Sequence, residues 1–337
     1  DRAGRAQFPP GGLLTAFAQW RAVRRIKRAI ATLPSAEAAA LDRESLAEYF
    51  ARTVKNPIAR ARLALHAEAV FAADPADLSL LAYLDRLRTT GGFAPEGPDL
   101  PGGGREHRFE GGAQSLALAL AASLDVRLAE PIEEIVDAGA YVTARGPRGE
   151  HAAQQIVLAI PPVLARNLRV DLAEPARRYA DEVRVGSVVK VFAAYARAFW
   201  RDDGWSGEAY NPVGTVRVTV PIGNALCAFV VGRDAARWRE RDAAERRADV
   251  IATFTAQFGD EAREPVDCLE IDWGADPWSG GCVAATPPGV LARGAQWGAT
   301  HRRIHIAGTE SSSIWPGYME GAIVAGERAA TGVLAAL

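Results

Sequence analysis

Apolar residues near the start of the chain recur every three or four positions, which is the spacing of one helix face. From Leu13 they continue through Trp20 and Ile26 until Pro34 ends the pattern, so the sequence predicts a long amphipathic helix. Three more helices are predicted downstream, one opened by the capping box of Ser45 and Glu48, one opened by Pro57, and one carrying Leu81, Leu84 and Leu87 before Gly91 and Gly92. The first part of the chain is therefore expected to be helical.

The pattern changes after the Gly- and Pro-rich stretch at 91–104. A helix around 116–124 is followed by short runs of the β type, and a mixed region extends from 176 to 272. The predicted strands are at 126–128, 132–136, 141–144, 155–160, 185–195, 216–220, 226–231 and 303–307, with helices through 250–258 and at the C-terminus. This order predicts an α/β protein whose two domains the chain enters alternately.

The balance of charged residues argues against two classes of partner. The 39 basic and 41 acidic residues leave a net charge of −2, so we expect neither nucleic acid nor a membrane surface as a partner. The longest uncharged apolar runs, at 115–124 and 225–231, are shorter than the ~20 residues that cross a bilayer. Three cysteines without C-x-x-C spacing and five histidines without H-x-x-x-H spacing predict no metal site and favour a reducing cytoplasm.

The most informative motif lies near the C-terminus. The strand at 303–307 runs into Gly308-Thr309-Glu310, and after Pro316 the segment Gly317-Tyr318-Met319-Glu320-Gly321 leads into the last helix. Pro316 suits the first helical position, and the glycines let backbone approach a flat ligand closely. The free N–H groups of a first helical turn favour negative charge. Such a tail would stabilise the anion that forms on the pyrimidine edge of a reduced flavin.

This tail closely resembles the flavin-pyrimidine-binding end of the monoamine oxidase family. Other segments occur in that family's order and at similar spacing: Phe8-Pro9-Pro10, Arg108-Phe109-Glu110-Gly111-Gly112, Ile160-Pro161-Pro162, Gly186-Ser187-Val188-Val189-Lys190, Phe199-Trp200 and Trp278-Ser279-Gly280-Gly281-Cys282. The resemblance implies a Rossmann-like FAD-binding domain formed by 109–175 and 273–337, and an α+β substrate domain formed by 1–108 and 176–272. It implies FAD as the cofactor, with contacts from Gly308, Thr309, Glu310, Gly317, Tyr318, Met319, Ile132 and Cys282.

Lys190 is singled out by the alternation of its strand. Val188 and Phe192 share its face, so a lysine here is predicted to be buried, where desolvation favours a neutral amine. A snorkelling lysine at a sheet edge is the alternative that the strand leaves open. The resemblance implies that Lys190 holds a water against flavin N5. It also implies that Trp273 packs beside the flavin, although aromatic burial alone would explain that tryptophan.

Cys282 matches the position where animal members of the family carry a thioether to the flavin 8α-methyl carbon. Covalent FAD through Cys282 is one expectation, and a small buried cysteine beside non-covalent FAD is the other. The resemblance implies that Tyr318 contacts the substrate amine, but Val283 replaces the second aromatic residue of the family's amine-binding pair. Arg105 matches a pocket-lining position and would bind a substrate carboxylate, or it is a solvated surface arginine.

No G-x-G-x-x-G motif is present, although the family places a pyrophosphate-binding βαβ unit of ~30 residues ahead of these segments. The chain also opens at Asp1, without a methionine. We therefore expect the βαβ unit on a second polypeptide or a cleaved fragment, in a dimer or higher oligomer.

The activity implied by the resemblance is oxidation of an amine to an imine, with hydride transfer from the carbon next to nitrogen to flavin N5. Dioxygen would then reoxidise the flavin and give hydrogen peroxide. Two alternatives stay open. One is an oxidase acting on an L-amino acid or another non-amine substrate, and the other is a non-catalytic subunit that lacks a complete FAD site.

Overall fold

The computed structural model describes residues 12–32, 37–93 and 107–337. Its helices are α1 (Gly12–Ala31), α2 (Ala38–Arg43), α3 (Leu46–Thr53), α4 (Pro57–Phe71), α5 (Leu80–Thr89), α6 (Gln114–Ala121), α7 (Glu174–Glu182), α8 (Arg233–Arg239), α9 (Ala243–Phe258) and α10 (Met319–Ala336). Its strands are β1 (Glu134–Asp137), β2 (Val142–Gly146), β3 (Gly149–Ala153), β4 (Ile156–Leu158), β5 (Arg169–Val170), β6 (Arg184–Val185), β7 (Val188–Ala194), β8 (Ala209–Tyr210), β9 (Val218–Ile222), β10 (Ala225–Val231), β11 (Asp267–Asp272), β12 (Ala284–Ala285) and β13 (Ile304–Ile306). The Phe8-Pro9-Pro10 motif and Arg105 lie outside the described residues.

The chain divides into two compact units, each made of separate stretches of sequence. The described parts of 1–28, 39–80 and 184–289 form one unit, here called the sheet unit, and those of 29–38, 81–183 and 290–337 form the other, here called the tail unit. The boundaries near 80, 183 and 289 differ from the predicted ones at 108, 175 and 272. The Gly- and Pro-rich stretch is the strongest break in the sequence, but a unit is defined by its contacts, which need not change where the composition does.

A five-stranded antiparallel sheet, in the order β11-β7-β10-β9-β8, forms the centre of the sheet unit. Val189, Val191 and Ala193 on one face of β7 are buried in a cluster with Trp200 and Trp238. The predicted alternation of this strand is therefore confirmed, because every second residue enters the same core.

The predicted strand at 185–195 is divided in two at Gly186. A Cβ at Gly186 would overlap the carbonyl oxygen of Phe71 at the end of α4, so the chain needs glycine there. Gly186 also accepts and donates backbone hydrogen bonds with Cys282 and Val283, next to the short β6–β12 pair.

The tail unit contains a four-stranded sheet in the order β3-β2-β1-β5 and a parallel pair, β13 with β4. Leu158, Ile304 and Ile306 of the parallel pair are buried in the core of this unit. Helix α10 lies close to β13, since a Cβ at Gly332 would come within 2.9 Å of His305 Nδ1. This mixture of parallel strands and helices confirms the predicted α/β class.

The helices predicted from periodicity are present, and the capping box is confirmed. Ser45 Oγ accepts from the Glu48 amide at 3.2 Å, and the Glu48 carboxylate accepts from the Ser45 amide at 2.8 Å. The predicted strand at 126–128 is wrong, because that segment is irregular and exposed with no partner strand. Strand β3 and helices α7 and α8 were not predicted, since their patterns are short and mostly polar. Among the described residues, no helix is long and apolar enough to cross a membrane.

Candidate flavin site

Two glycines shape the turn between β13 and α10. Gly308 leaves β13 with a φ of 92°, and Gly317 has a φ of 80°, both in the region that favours glycine. Trp315 also has a positive φ, of 46°, which is uncommon for a residue with a side chain. Sharp reversals at these positions bring the two halves of the C-terminal motif next to each other.

Thr309 ties the two halves together. Its hydroxyl donates to the Tyr318 carbonyl at 2.9 Å and accepts from the Gly317 amide at 2.6 Å. A Cβ at Gly321 would overlap the Trp315 carbonyl and lie 2.8 Å from Thr309 Oγ1, so glycine is required for this close approach. The two segments that the sequence analysis treated as one motif are therefore one structural unit.

The first turn of helix α10 is not capped by its N-cap side chain, and this uncapped first turn is here called the open start of the helix. Tyr318 is the N-cap residue, with extended φ and ψ of −118° and 164°, and its side chain makes no capping hydrogen bond. Met319 is the first helical residue and is 49% exposed. The prediction that Pro316 takes the first helical position is wrong, because the chain makes the Gly317 turn before the helix begins. An uncapped helix start attracts negative charge, which fits the pyrimidine edge of a reduced flavin.

Arg86 is a residue of this region that the sequence analysis missed. It is only 7% exposed, and its guanidinium lies 4.9 Å from the centroid of the Tyr318 ring and donates to the Pro316 carbonyl. No signal in the sequence indicated it, because Arg86 does not lie three or four positions from Leu81, Leu84 or Leu87, the apolar residues that predicted this helix. Its burial depends on the contact between α5 and the turn before α10.

Glu310 is half-buried in the same turn. Burial raises the pKa of its carboxyl above the usual value, and the positive charge of Arg86 acts in the opposite direction. Ile132, also in the tail unit, is half-buried against the core cluster that contains Ile304. These residues are compatible with a flavin contact, which stays a prediction for each of them.

Lys190 lies in the sheet unit, on the face of β7 opposite to the tryptophan cluster. It pairs with Phe229 of β10 and with Ile271 of β11, so both edges of β7 are occupied and Lys190 is not on an edge strand. The predicted burial is wrong, because the side chain is half-buried, with Nζ 4.9 Å from the centroid of the Phe229 ring. The strand pattern fixed the face of Lys190, whereas its exposure depends on what packs over that face.

Three other candidate residues, Trp273, Cys282 and Val283, lie in the sheet unit, in the part of the chain that follows β11. Trp273 follows β11 directly and is 39% exposed, so burial of the ring in a core does not account for it. Cys282 is exposed, which contradicts the expectation of a small buried cysteine. Val283 is half-buried, and its carbonyl accepts from the Gly186 amide at 2.7 Å. Within the described residues no group of His, Cys, Asp and Glu could hold a metal ion.

A turn shaped by Gly308 and Gly317, placed between a buried parallel strand and the start of a helix, has a geometry compatible with a bound flavin. A family model for flavin-containing amine oxidoreductases matches residues 3–334. The chain therefore belongs to the flavin-containing amine oxidoreductase family, whose cofactor is FAD.

Curated relatives support this assignment. A flavin-containing monoamine oxidase A of Dictyostelium discoideum is 31% identical over 301 residues, covering 85% of this chain and 66% of its own length. A flavin-containing monoamine oxidase of Mycobacterium tuberculosis is 32% identical over 309 residues, covering 88% of this chain and 67% of its own length. The chain thus spans about two thirds of the length of these relatives.

Solved structures show the same fold. The cyclohexylamine oxidase of Brevibacterium oxydans superimposes with a TM-score of 0.87 at 25% identity, over 97% of this chain and 76% of the other. A putrescine oxidase bound to putrescine superimposes with a TM-score of 0.90 at 24% identity, over 98% of this chain and 78% of the other. At this level of identity the second likeness supports the fold alone.

Proposed function

We propose that this chain takes part in the FAD-dependent oxidation of a small amine to an imine, with dioxygen reduced to hydrogen peroxide. The observation that carries the proposal is the turn locked by Thr309, which leads to the open start of α10 in a chain that matches the family over residues 3–334. When bound, FAD supplies the acceptor for the hydride from the carbon next to the amine nitrogen.

The residues of the chain have distinct roles in this proposal. The N–H groups at the start of α10 would stabilise negative charge on the bound cofactor. Tyr318, the N-cap of that helix, offers its ring to the substrate amine. Lys190 donates a hydrogen bond through Nζ to a water, and Trp273 restricts the space available to that water. The Tyr318 ring would help to orient the substrate C–H bond, and desolvation beside an apolar surface would favour the neutral amine.

The likeness to relatives and the identity of Val283 support a proposal for the substrate class. Two of the relatives named above are oxidases of monoamines and of cyclohexylamine by their own names. Val283 is an aliphatic residue where the family has the second aromatic residue of its amine-binding pair, so we propose a primary amine with an apolar substituent. An L-amino acid is the second candidate, because an L-amino acid dehydrogenase of Synechocystis is 31% identical over 279 residues, 79% of this chain and 57% of its own length.

A panel of substrates tests the proposal. The native protein, purified with whatever polypeptide accompanies it, is expected to be yellow and to lose its flavin absorbance anaerobically when an apolar primary amine is added. Peroxide release should follow in air, and it should be faster for that amine than for L-amino acids. Faster reaction with L-amino acids than with amines would support the L-amino acid as substrate. A protein that binds no flavin, or whose flavin is not bleached by either substrate, would support a non-catalytic subunit.

We also propose that a further polypeptide segment, carrying the dinucleotide-binding βαβ unit, packs on the tail unit. Its support is the segment 107–130, here called the α6 segment, in which no residue is buried although it contains several large apolar side chains. Exposed large apolar side chains concentrated in one segment support an interaction site there. Intact-mass spectrometry of the purified protein tests this, since it shows any second chain, its stoichiometry and any flavin bound to the exposed Cys282.

A further inference from the structure

Arg86 makes three kinds of contact with one short stretch of the tail unit. Its guanidinium stacks on Tyr318, with Cζ 4.9 Å from the ring centroid, and Nη1 donates to the carbonyl of Pro316. It also fills the space beside Gly317, where a Cβ would come within 2.5 Å of Nη1 and 3.3 Å of Cζ. One side chain from α5 therefore contacts three consecutive residues before α10.

The end of α5 supports the same stretch through its backbone. The Trp315 amide donates to the Thr89 carbonyl at 3.3 Å, and the Trp315 ring packs edge-to-face on Tyr318 with centroids 5.1 Å apart. Arg86 is anchored in turn, because its carbonyl accepts from the Thr90 hydroxyl at 2.9 Å. The Tyr318 ring is thus in contact with a buried cation and with an indole.

A buried guanidinium needs compensating negative charge. Glu310, in the turn after β13, is one acid on which this charge acts, since Arg86 lowers the pKa of its carboxyl. The planar guanidinium can stack on a ring and donate in its own plane at the same time, whereas an ammonium group cannot. Arginine is therefore suited to hold both the Tyr318 ring and the Pro316 carbonyl.

We propose that Arg86 is a positioning residue that fixes the Tyr318 ring and the start of α10, and thereby sets the geometry that this turn offers to cofactor and substrate. The inference rests on the proposed function in so far as Tyr318 contacts the substrate. The position of the turn itself does not depend on that function and can be measured separately.

The test compares Arg86→Met with Arg88→Met in the native protein. Arg88 lies on the same helix but is exposed and pairs with Asp85 at 2.5 Å, so its replacement is the matched control. Hydrogen exchange of the amides in 315–322 should be faster in Arg86→Met and unchanged in Arg88→Met. For the oxidised amine, kcat/KM should fall by up to about 100-fold in Arg86→Met only, since small misplacement of a reacting pair has effects of that size.

The variant Arg86→Lys distinguishes the positive charge of Arg86 from the planar shape of its guanidinium. It also provides a test if the Arg86→Met protein does not fold. It keeps a positive charge near Glu310, so the pKa of that carboxyl, measured by NMR titration, should stay in place, while exchange of 315–322 is still faster than in the wild type. In Arg86→Met the pKa of Glu310 should rise, because the charge that lowers it is lost. The proposal would be overturned if the amides of 315–322 exchanged at the wild-type rate in Arg86→Lys. It would also be overturned if Arg86→Met and Arg88→Met had the same exchange rates and the same kcat/KM. A wild-type protein that oxidises no amine refutes the proposed function instead, and leaves the exchange comparison to decide on Arg86.

Discussion

At the scale of single residues, two glutamates illustrate how their surroundings decide their chemistry. Burial raises the pKa of Glu310 in the turn after β13, although Arg86 partly offsets the effect. Hydrogen bonds from Ser45, first its amide and then its hydroxyl, lower the pKa of Glu48 in the capping box of α3. Desolvation thus raises the pKa of one glutamate, whereas hydrogen-bond donors lower the pKa of the other.

These shifts predict opposite effects of pH on stability. Because its folded-state pKa is raised, Glu310 contributes stability that is fully present below the unfolded-state pKa and is lost as pH rises through the raised value. Glu48 contributes stability above the unfolded-state pKa, and this is lost as pH falls through its lowered value. We expect the difference in unfolding free energy between wild type and Glu310→Gln to decrease with rising pH, and that for Glu48→Gln to increase. Urea denaturation across the acidic range measures both, and slopes of the same sign would contradict the assignment.

At the scale of elements, helix α10 depends on small residues where it begins and where it crosses β13. Gly321, Ala325 and Ala329 are the buried positions of this helix, spaced four residues apart. Gly321 lies against the Trp315 carbonyl, whereas a Cβ at Gly326 would meet no atom within 4 Å. A close contact therefore requires glycine at position 321, whereas no contact requires it at position 326.

Alanine at these two positions should have opposite effects. Gly326→Ala should raise the free energy of unfolding by up to about 1 kcal/mol, because alanine is the better helix former. Gly321→Ala should lower it by about 2 kcal/mol, because the added methyl group forces the turn and the helix apart. It should also weaken FAD retention, measured by flavin released per protein on dialysis. Equal stability changes in the two variants would show that the approach of Trp315 to α10 is not close.

At the scale of the whole molecule, the α6 segment is a stretch of 24 described residues without a buried side chain. Leu118 and Leu120 are each 62% exposed, and helix α6 contains no buried residue. The match leaves about a third of the length of these relatives uncovered. The proposed partner segment would remove this apolar surface from water and so gain hydrophobic stabilisation.

Charge placed on this surface should release the proposed partner segment. The double variant Leu118→Glu, Leu120→Glu should lose co-purifying polypeptide and FAD, measured by intact mass and flavin absorbance. Leu13→Glu, Leu14→Glu in α1 is the matched control, since these leucines are even more exposed and lie in the sheet unit. Unchanged flavin and mass in the α6 variant, or equal loss in both variants, would argue against a partner on the α6 segment.

The sequence by itself determined the features that depend on neighbours along the chain. Helical spacing predicted α1 and α9, and Pro57 predicted the start of α4. The Ser45 and Glu48 pair predicted the start of α3, and period-two alternation predicted the face of Lys190. The C-terminal motif predicted the family, because its glycines and Thr309 act together within a few residues.

Only the tertiary structure decided the features that depend on distant residues. The exposure of Lys190, Trp273 and Cys282 is determined by what packs over them, and the unit boundaries are determined by contacts between separate stretches. Arg86 joined the site because α5 and the turn before α10, more than 200 residues apart, meet in the folded chain. Periodicity specifies which face a side chain occupies, whereas its partner on that face is fixed by packing over long separations in sequence.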